Sequence, residues 1–201
     1  VSDDLPNVSR ETLGELQDFA ELVVHWNRTI NLVAKSDDVW GRHIVDCAKL
    51  LDGVGRVRGR WVDLGSGGGF PGVVIGILAR SRGLPLRVTL VEADRRKAEF
   101  LRHAAHRFGL EIEVRHERIE VLEPQGADVV SARALAPLDV LLGYVARHLA
   151  AGGLAVLPKG AKLEDEVAAA RKLWSFDVDV ISAAFGGSVL HVRNVGRLRN
   201  D

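Results

Sequence analysis

The stretch Asp63-Leu64-Gly65-Ser66-Gly67-Gly68-Gly69-Phe70-Pro71-Gly72 puts five glycines into ten residues, directly after the apolar pair Trp61-Val62. Glycine lets a backbone turn tightly and lets a ligand approach without meeting a Cβ atom. Pro71 has its φ preset for the first turn of a helix, where its missing N–H costs nothing. Strand, glycine loop, helix is the order in which such a pattern reads as a binding loop at the carboxyl end of a strand. Two ligand classes compete for it. Gly67-x-Gly69-x-x-Gly72 matches the dinucleotide fingerprint, so NAD has to be considered. Asp63, however, stands two residues before Gly65 at the strand end. A carboxylate there suits a ligand with a cationic amino-acid end and a hydroxylated ribose, and sits badly beside a pyrophosphate. S-adenosylmethionine fits better, with Asp63, Gly65, Ser66, Gly67, Gly69 and Phe70 as candidate contacts. Leu90-Val91-Glu92 supplies the second acid, Glu92, at the end of the next apolar run, where a carboxylate accepts bonds from ribose hydroxyls.

Outward from the loop, short apolar runs alternate with helical segments. Strands read at Trp61–Leu64, Arg87–Glu92, Ile112–His116, Ala127–Ser131 and Leu154–Leu157, and helices at Pro71–Arg80, Arg95–Phe108, Pro137–Leu149 and Leu163–Leu173. That order predicts a mostly parallel sheet covered by crossover helices. Val178–Ala183 and Ser188–Val195, with Gly186-Gly187 between them, read as an antiparallel pair at the sheet edge, for about seven strands in all. Before the loop the pattern is helical. Leu13, Leu16, Phe19, Ala20, Val23 and Val24 form one stripe over residues 10–26 behind Ser9 as N-cap. A second helical stretch follows Ser36-Asp37-Asp38, and the turn-rich run Gly53 to Gly59 closes it. The expectation is an α/β chain with an N-terminal helical cap (residues 1–55) packed on a Rossmann-like core (residues 56–201).

Composition is that of an ordinary globular chain: of 201 residues, 47% are hydrophobic and 27% charged. No apolar run approaches the roughly 20 residues of a membrane helix, and the acidic start Val1-Ser2-Asp3-Asp4 leads into no signal-peptide pattern. The lone Cys47 can form no internal disulfide, which fits a reducing cytoplasm, and excludes an all-cysteine zinc cluster. The histidines show no ligand spacing, and no metal site is expected. Net charge is zero, but it is unevenly spread: −5 over residues 1–52, +6 over 53–118 and −1 over 119–201. The basic middle holds Arg56, Arg58, Arg60, Arg80, Arg82, Arg87, Arg95, Arg96 and Lys97. It is either an anion-binding face or a scatter of solvated charges.

The acceptor is narrowed by what is missing. Methylation of cytosine C5 needs a cysteine nucleophile near the fourth strand, and none stands there. Methylation of an adenine amino group uses an Asn/Asp-Pro-Pro-aromatic turn, whereas this chain has Ser131-Ala132-Arg133-Ala134. An arginine there suits an acceptor with its own lone pair, such as a ring nitrogen, that needs holding rather than deprotonating.

Trp26-Asn27-x-x-Ile30-Asn31-Leu32, Arg42-His43-Ile44-x-Asp46, the Asp63–Gly72 loop, Ser131-x-Arg133-Ala134 and Lys159-Gly160 occur in this order along the chain. As a collinear set they resemble the bacterial small-subunit ribosomal RNA guanine-N7 methyltransferases, the RsmG or GidB family. The resemblance implies a Rossmann-like methyltransferase that uses S-adenosylmethionine and acts on a guanine in the decoding-region loop of 16S ribosomal RNA, in the small ribosomal subunit or its precursor. It also implies cofactor contacts from Gly65, Phe70, the backbone around Ile119-Glu120, and Arg133. Cys47 stands where the family usually has serine.

Guanine N7 is a nucleophile that loses no proton, so no general base is expected and alignment should dominate. Arg133 and Lys159 are the candidates for gripping the guanine O6 edge or nearby phosphates; the plainer readings are a structural ion pair and a solvated turn residue. His43 and Asp46, three apart, should share a helix face and could hydrogen-bond. Asn27 and Asn31, four apart, could share a helix face or cap a helix end. The stripe Arg102-His103-x-x-His106-Arg107, with Arg95 and Arg96, could track an RNA backbone. A monomer is the default. Two other functions stay open: the same fold acting on a non-RNA acceptor, and a cofactor-binding regulator that turns nothing over.

Overall fold

Strand residues alternate between two buried faces, and that alternation builds the molecule. The computed structural model describes residues 5, 7–34, 37–55, 57–160, 162–183 and 187–198. Ser36, Arg56 and Gly186, named above, lie outside the described residues, as do Val1-Ser2-Asp3-Asp4. The strands are β1 (Gly59–Leu64), β2 (Leu86–Val91), β3 (Ile112–Arg115), β4 (Ala127–Ala132), β5 (Leu149–Lys159), β6 (Trp174–Ser182) and β7 (Ser188–Arg197). They form one seven-stranded sheet in the order β3-β2-β1-β4-β5-β7-β6. The pairs from β3 across to β5 are parallel. β7 runs antiparallel to both β5 and β6, so the expected terminal hairpin folds with its second strand inside the sheet.

In β1, Trp61 joins one apolar cluster and Val62 and Leu64 the other; Val129 and Val130 of β4 divide in the same way. This is the two-residue period of a pleated strand. One face is covered by α3 (Gly72–Ser81) and α4 (Arg95–Arg107), the other by α5 (Leu138–His148) and α6 (Leu163–Ala170). α3 is buried from Gly72 to Ala79 because it has a second neighbour. α1 (Arg10–Trp26) and α2 (Asp46–Val54) lie outside it, and Leu16, Phe19, Val23, Ile44 and Leu51 share one cluster with Val74, Ile77 and Phe100. At about 25 cal/mol per Å² of apolar area, such burial is what fixes the N-terminal helices to the sheet.

Ser9 caps α1 by accepting from the Thr12 amide at 3.2 Å. Thr12 itself is buried and its hydroxyl meets Ser81 at 2.6 Å, tying α1 to the end of α3. The second helical stretch is not one regular helix: Val39–Val45 is π-helical and continues into α2. β5 begins at Leu149, earlier than the expected Leu154, because the β4–β5 ladder jumps from Ala127↔Leu149 to Val129↔Leu154. The extra residues are taken up around Gly152, whose φ of +76° is open to glycine.

Candidate active site

The order of strands reverses between β1 and β4, which leave the sheet centre in opposite directions. Open α/β sheets bind ligands at such a switch point, outside the carboxyl ends of the strands. The glycine loop leaves β1 here, and Arg133 follows β4.

The loop's glycines serve different ends. A Cβ on Gly65 would lie 2.6 Å from Leu135, one on Gly69 would lie 2.7 Å from Val73, and one on Gly72 would lie 2.1 Å from Leu90. These three are required by packing inside the protein. Gly67 differs: its φ is +52°, and a Cβ there would meet nothing closer than 3.8 Å. Beside it the Glu92 carboxylate accepts from the Gly67 and Asp94 amides, each at 2.8 Å. An open glycine next to a fixed carboxylate fits a hydroxylated, cationic ligand such as S-adenosylmethionine. Ser66 faces inward, its hydroxyl donating to the Asp63 carbonyl at 2.9 Å. Phe70 packs on Phe19 and on the His43 ring, 4.8 Å between centroids for the latter. Pro71 precedes α3 as its N-cap residue rather than opening it.

Asp63 is wholly buried. Its carboxylate accepts from the Ser131 hydroxyl at 2.7 Å and the Gly72 amide at 3.3 Å, and Ser131 in turn accepts from the Trp61 indole N–H at 2.8 Å. Trp61, Asp63 and Ser131 project to one face of paired strands, where Asp63 is directly opposite Ser131. Burial pushes the Asp63 carboxyl up to about 6, against the pull of the bonds from Ser131 and Gly72. Asp63 is thus enclosed beneath the loop, and the loop's open position is Gly67, beside the Glu92 carboxylate.

The Ile119-Glu120 turn is fixed from behind. His148 Nε2 lies 3.1 Å from the Ile119 carbonyl and Arg147 donates twice to the Leu122 carbonyl. The Glu120 carboxylate is engaged by Tyr144 at 2.9 Å and Arg118 at 3.2 Å. Its own backbone amide and the Tyr144 hydroxyl hold it below the usual carboxylate range.

Arg133 is held by the N-terminal helices. Its guanidinium donates to His43 Nδ1 at 2.7 Å and to the Arg42 carbonyl at 3.0 Å. The next residue, Ala134, has φ of +50°, a left-handed conformation that costs a non-glycine residue about 1–2 kcal/mol. Lys159 donates to the Ala136 carbonyl at 3.0 Å and pairs with Glu166 at 2.7 Å. Arg133 and Lys159 both line a cavity of about 580 Å³ between α2, the ends of β4 and β5, and the β6–β7 hairpin. Cys47, Leu135, Leu141, Pro158 and His191 are also in its wall, and no residue of the glycine loop is. Leu135 joins the two regions, since it lines the cavity and packs on Gly65. Burial pushes the Cys47 thiol up to about 12, so it stays protonated.

His43 does not pair with Asp46 as the spacing suggests. Its two ring nitrogens meet Arg133 and Asp37, the latter at 3.0 Å. The wider π-helical turn takes residues three apart off a common face. Asn27 closes the end of α1: its side chain accepts from the Leu32 and Val33 amides and donates to the Val33 carbonyl. Asn31 is exposed. The α4 stripe is partly engaged within the chain, since Arg95 pairs with Glu99, Arg96 donates to the Thr29 carbonyl and His103 packs on Trp26. Sequence reasoning missed Trp61, Asp37 and Glu166 as partners, and gave Ser131 no role. The only available signals were an acid just before the Arg42-His43 pair and an acidic first turn in α6. Among the described residues no group of three His, Cys, Asp or Glu side chains could hold a metal ion.

A family model described as rRNA small subunit methyltransferase G matches residues 12–190. The chain is 45% identical over 196 residues to the ribosomal RNA small subunit methyltransferase G of Ruegeria sp. strain TM1040, covering 96% of this chain and 95% of that one. It is 48% identical over 176 residues to the same-named protein of Cereibacter sphaeroides, covering 87% and 85%. Among solved structures, a TehB-like SAM-dependent methyltransferase from Corynebacterium glutamicum superposes with a TM-score of 0.56 at 19% identity, covering 89% of this chain and 99% of that one. That last likeness is one of fold.

Proposed function

The chain belongs to the rRNA small subunit methyltransferase G family, and on that premise we propose that it transfers a methyl group from S-adenosylmethionine to N7 of a guanine in the decoding-region loop of 16S ribosomal RNA. The observation that carries this reading is an open glycine–carboxylate cradle beside a cavity whose wall holds Arg133 and Lys159. Gly67 and Glu92, with Gly65, Phe70 and the Ile119-Glu120 turn beside them, would hold the donor. The acceptor base enters the neighbouring cavity, whose size is in the usual range for small-molecule pockets. Bound S-adenosylmethionine supplies an activated methyl group on a sulfonium. Guanine N7 attacks with its in-plane lone pair and the positive charge passes from sulfur to the base, so this chain moves no proton. Its task is alignment. Arg133 and Lys159 face the O6 edge or the adjoining phosphate as donors; arginine matches the O6/N7 edge in geometry. Residues 1–55 act as a cap over the core of residues 56–201, and the acting species is a cytoplasmic monomer. No helix among the described residues is long and apolar enough to cross a membrane.

The test is transfer of labelled methyl to small ribosomal subunits from cells lacking the protein, followed by nuclease mapping. A single labelled 7-methylguanosine in 16S RNA is the expected product. No label, with cofactor binding intact by calorimetry, would leave the cradle and remove the RNA assignment.

A further inference from the structure

We infer that His43 is a positioning residue for Arg133: it acts as the neutral acceptor that aims the guanidinium at the acceptor cavity. The inference rests on the reading above. Arginine has only N–H donors, so the 2.7 Å contact between Arg133 and His43 requires Nδ1 to be the acceptor. The proton must then sit on Nε2, where Asp37 accepts it at 3.0 Å. The two contacts together define one tautomer of a neutral imidazole. Burial, then the Arg133 charge, lower the His43 pKa, which keeps it neutral.

The ring is fixed in other ways as well. Phe70 of the glycine loop packs on it, 4.8 Å between ring centroids, and the side chain is buried in the π-helical segment. The Arg42 carbonyl from the same segment takes a second guanidinium N–H at 3.0 Å. Arg133 is thus gripped through two different nitrogens by one turn of the N-terminal helices, at a backbone position followed by the left-handed Ala134. A long arginine side chain loses much rotational freedom when it is used to orient a substrate. Here that freedom is removed before the substrate arrives. The same imidazole touches the donor loop on one side and the acceptor-side arginine on the other.

Three substitutions separate this role from simple packing. The amide oxygen of His43→Asn occupies nearly the place of Nδ1 and can accept from Arg133. His43→Gln instead reaches the place of Nε2, toward Asp37, and leaves Arg133 without its acceptor; His43→Ala serves neither. Methyl transfer to small subunits is measured for each, with cofactor affinity by calorimetry as the check on folding. The expected result is that the Asn variant stays within roughly 3-fold of the unsubstituted protein, while Gln and Ala lose about 10- to 100-fold in kcat/KM. In an Arg133→Ala background, His43→Ala should cost less than about 2-fold more, because its partner is already gone. Equal behaviour of all three variants, or losses at His43 and Arg133 that multiply, would overturn the inference. An unsubstituted protein inert on small subunits would instead sink the rRNA reading, and this inference with it.

Discussion

Replacing Asp63 by asparagine keeps the shape of the side chain and removes a buried ionisation. The Asp63 carboxyl has an ordinary value of 3.8 and is pushed up to about 6, mainly by burial. Each pK unit corresponds to about 1.4 kcal/mol, so the shift is worth on the order of 3 kcal/mol. The sign follows from proton binding. Between about pH 4 and pH 6 the folded chain holds a proton that the unfolded chain has released, so stability from this group falls as pH rises. It is fully present below the unfolded value and is gone above the folded one. Asparagine cannot titrate. It also offers one acceptor where the carboxylate offers two to Ser131 and Gly72, which sets a constant offset of about 1–3 kcal/mol and adds no slope. Urea unfolding of both proteins from about pH 4 to about pH 7 gives the difference in stability, in which other groups cancel. The advantage of the unsubstituted protein should shrink by about 3 kcal/mol over that range and then level off. A difference that is flat, or that grows with pH, would refute the burial-dominated account of Asp63.

Gly67→Ala and Gly72→Ala should fail differently: at Gly67 the added carbon meets open space at φ +52°, at Gly72 it lies 2.1 Å from Leu90. The first should cost about 1–2 kcal/mol in unfolding free energy but weaken S-adenosylmethionine binding markedly by calorimetry; the second should lower thermal stability by about 1–3 kcal/mol or prevent folding. Lys159→Ala should leave cofactor affinity unchanged and reduce methyl transfer to small subunits by roughly 10-fold or more, as expected when one charged hydrogen bond to the substrate is lost. Cys47, buried and with its thiol raised to about 12, should react with a disulfide reagent only as fast as the chain unfolds. Fast labelling at neutral pH would show that its wall of the cavity opens.

The parallel sheet was legible because it rests on local patterns: apolar runs of strand length, a glycine loop between one of them and a helix, and helical periodicity between the rest. The terminal hairpin was legible for the same reason. What local pattern cannot carry is which acid meets which base. His43 and Asp46 are correctly spaced for an α-helix, but the segment is π-helical and the imidazole turns to Asp37 and Arg133. Lys159 finds Glu166 seven residues on, across the turn from β5 into α6, a spacing that matches no regular element. The Trp61 side chain reads as core, and it is core; that its indole N–H begins a chain through Ser131 to Asp63 depends on the β1–β4 register. Asp63 itself was assigned to the ligand from its place at a strand end. That its carboxylate bonds Ser131 and the Gly72 amide depends on the β1–β4 register and the course of the loop, which no local pattern carries.

The switch point explains why a donor cradle and an acceptor cavity are neighbours in a chain that separates their residues widely. β1 and β4 pair in the sheet centre, yet the chain leaves them toward opposite edges. The segments that follow their paired ends therefore diverge and open a crevice, with the glycine loop on one bank and Arg133 to Leu135 on the other. Something must hold the banks in register, since methyl transfer depends on alignment to within fractions of an ångström. Two links do so. Beneath the crevice, the Ser131 hydroxyl bonds the Asp63 carboxylate across the strand pair. Above it, the His43 ring bridges Phe70 and Arg133. The lower link belongs to the sheet and the upper one to the N-terminal helices. Both guanidinium contacts of the upper link, to His43 and to the Arg42 carbonyl, come from those helices. On this argument the N-terminal helices do more than cover apolar surface: they fix the orientation of Arg133 at the cavity wall.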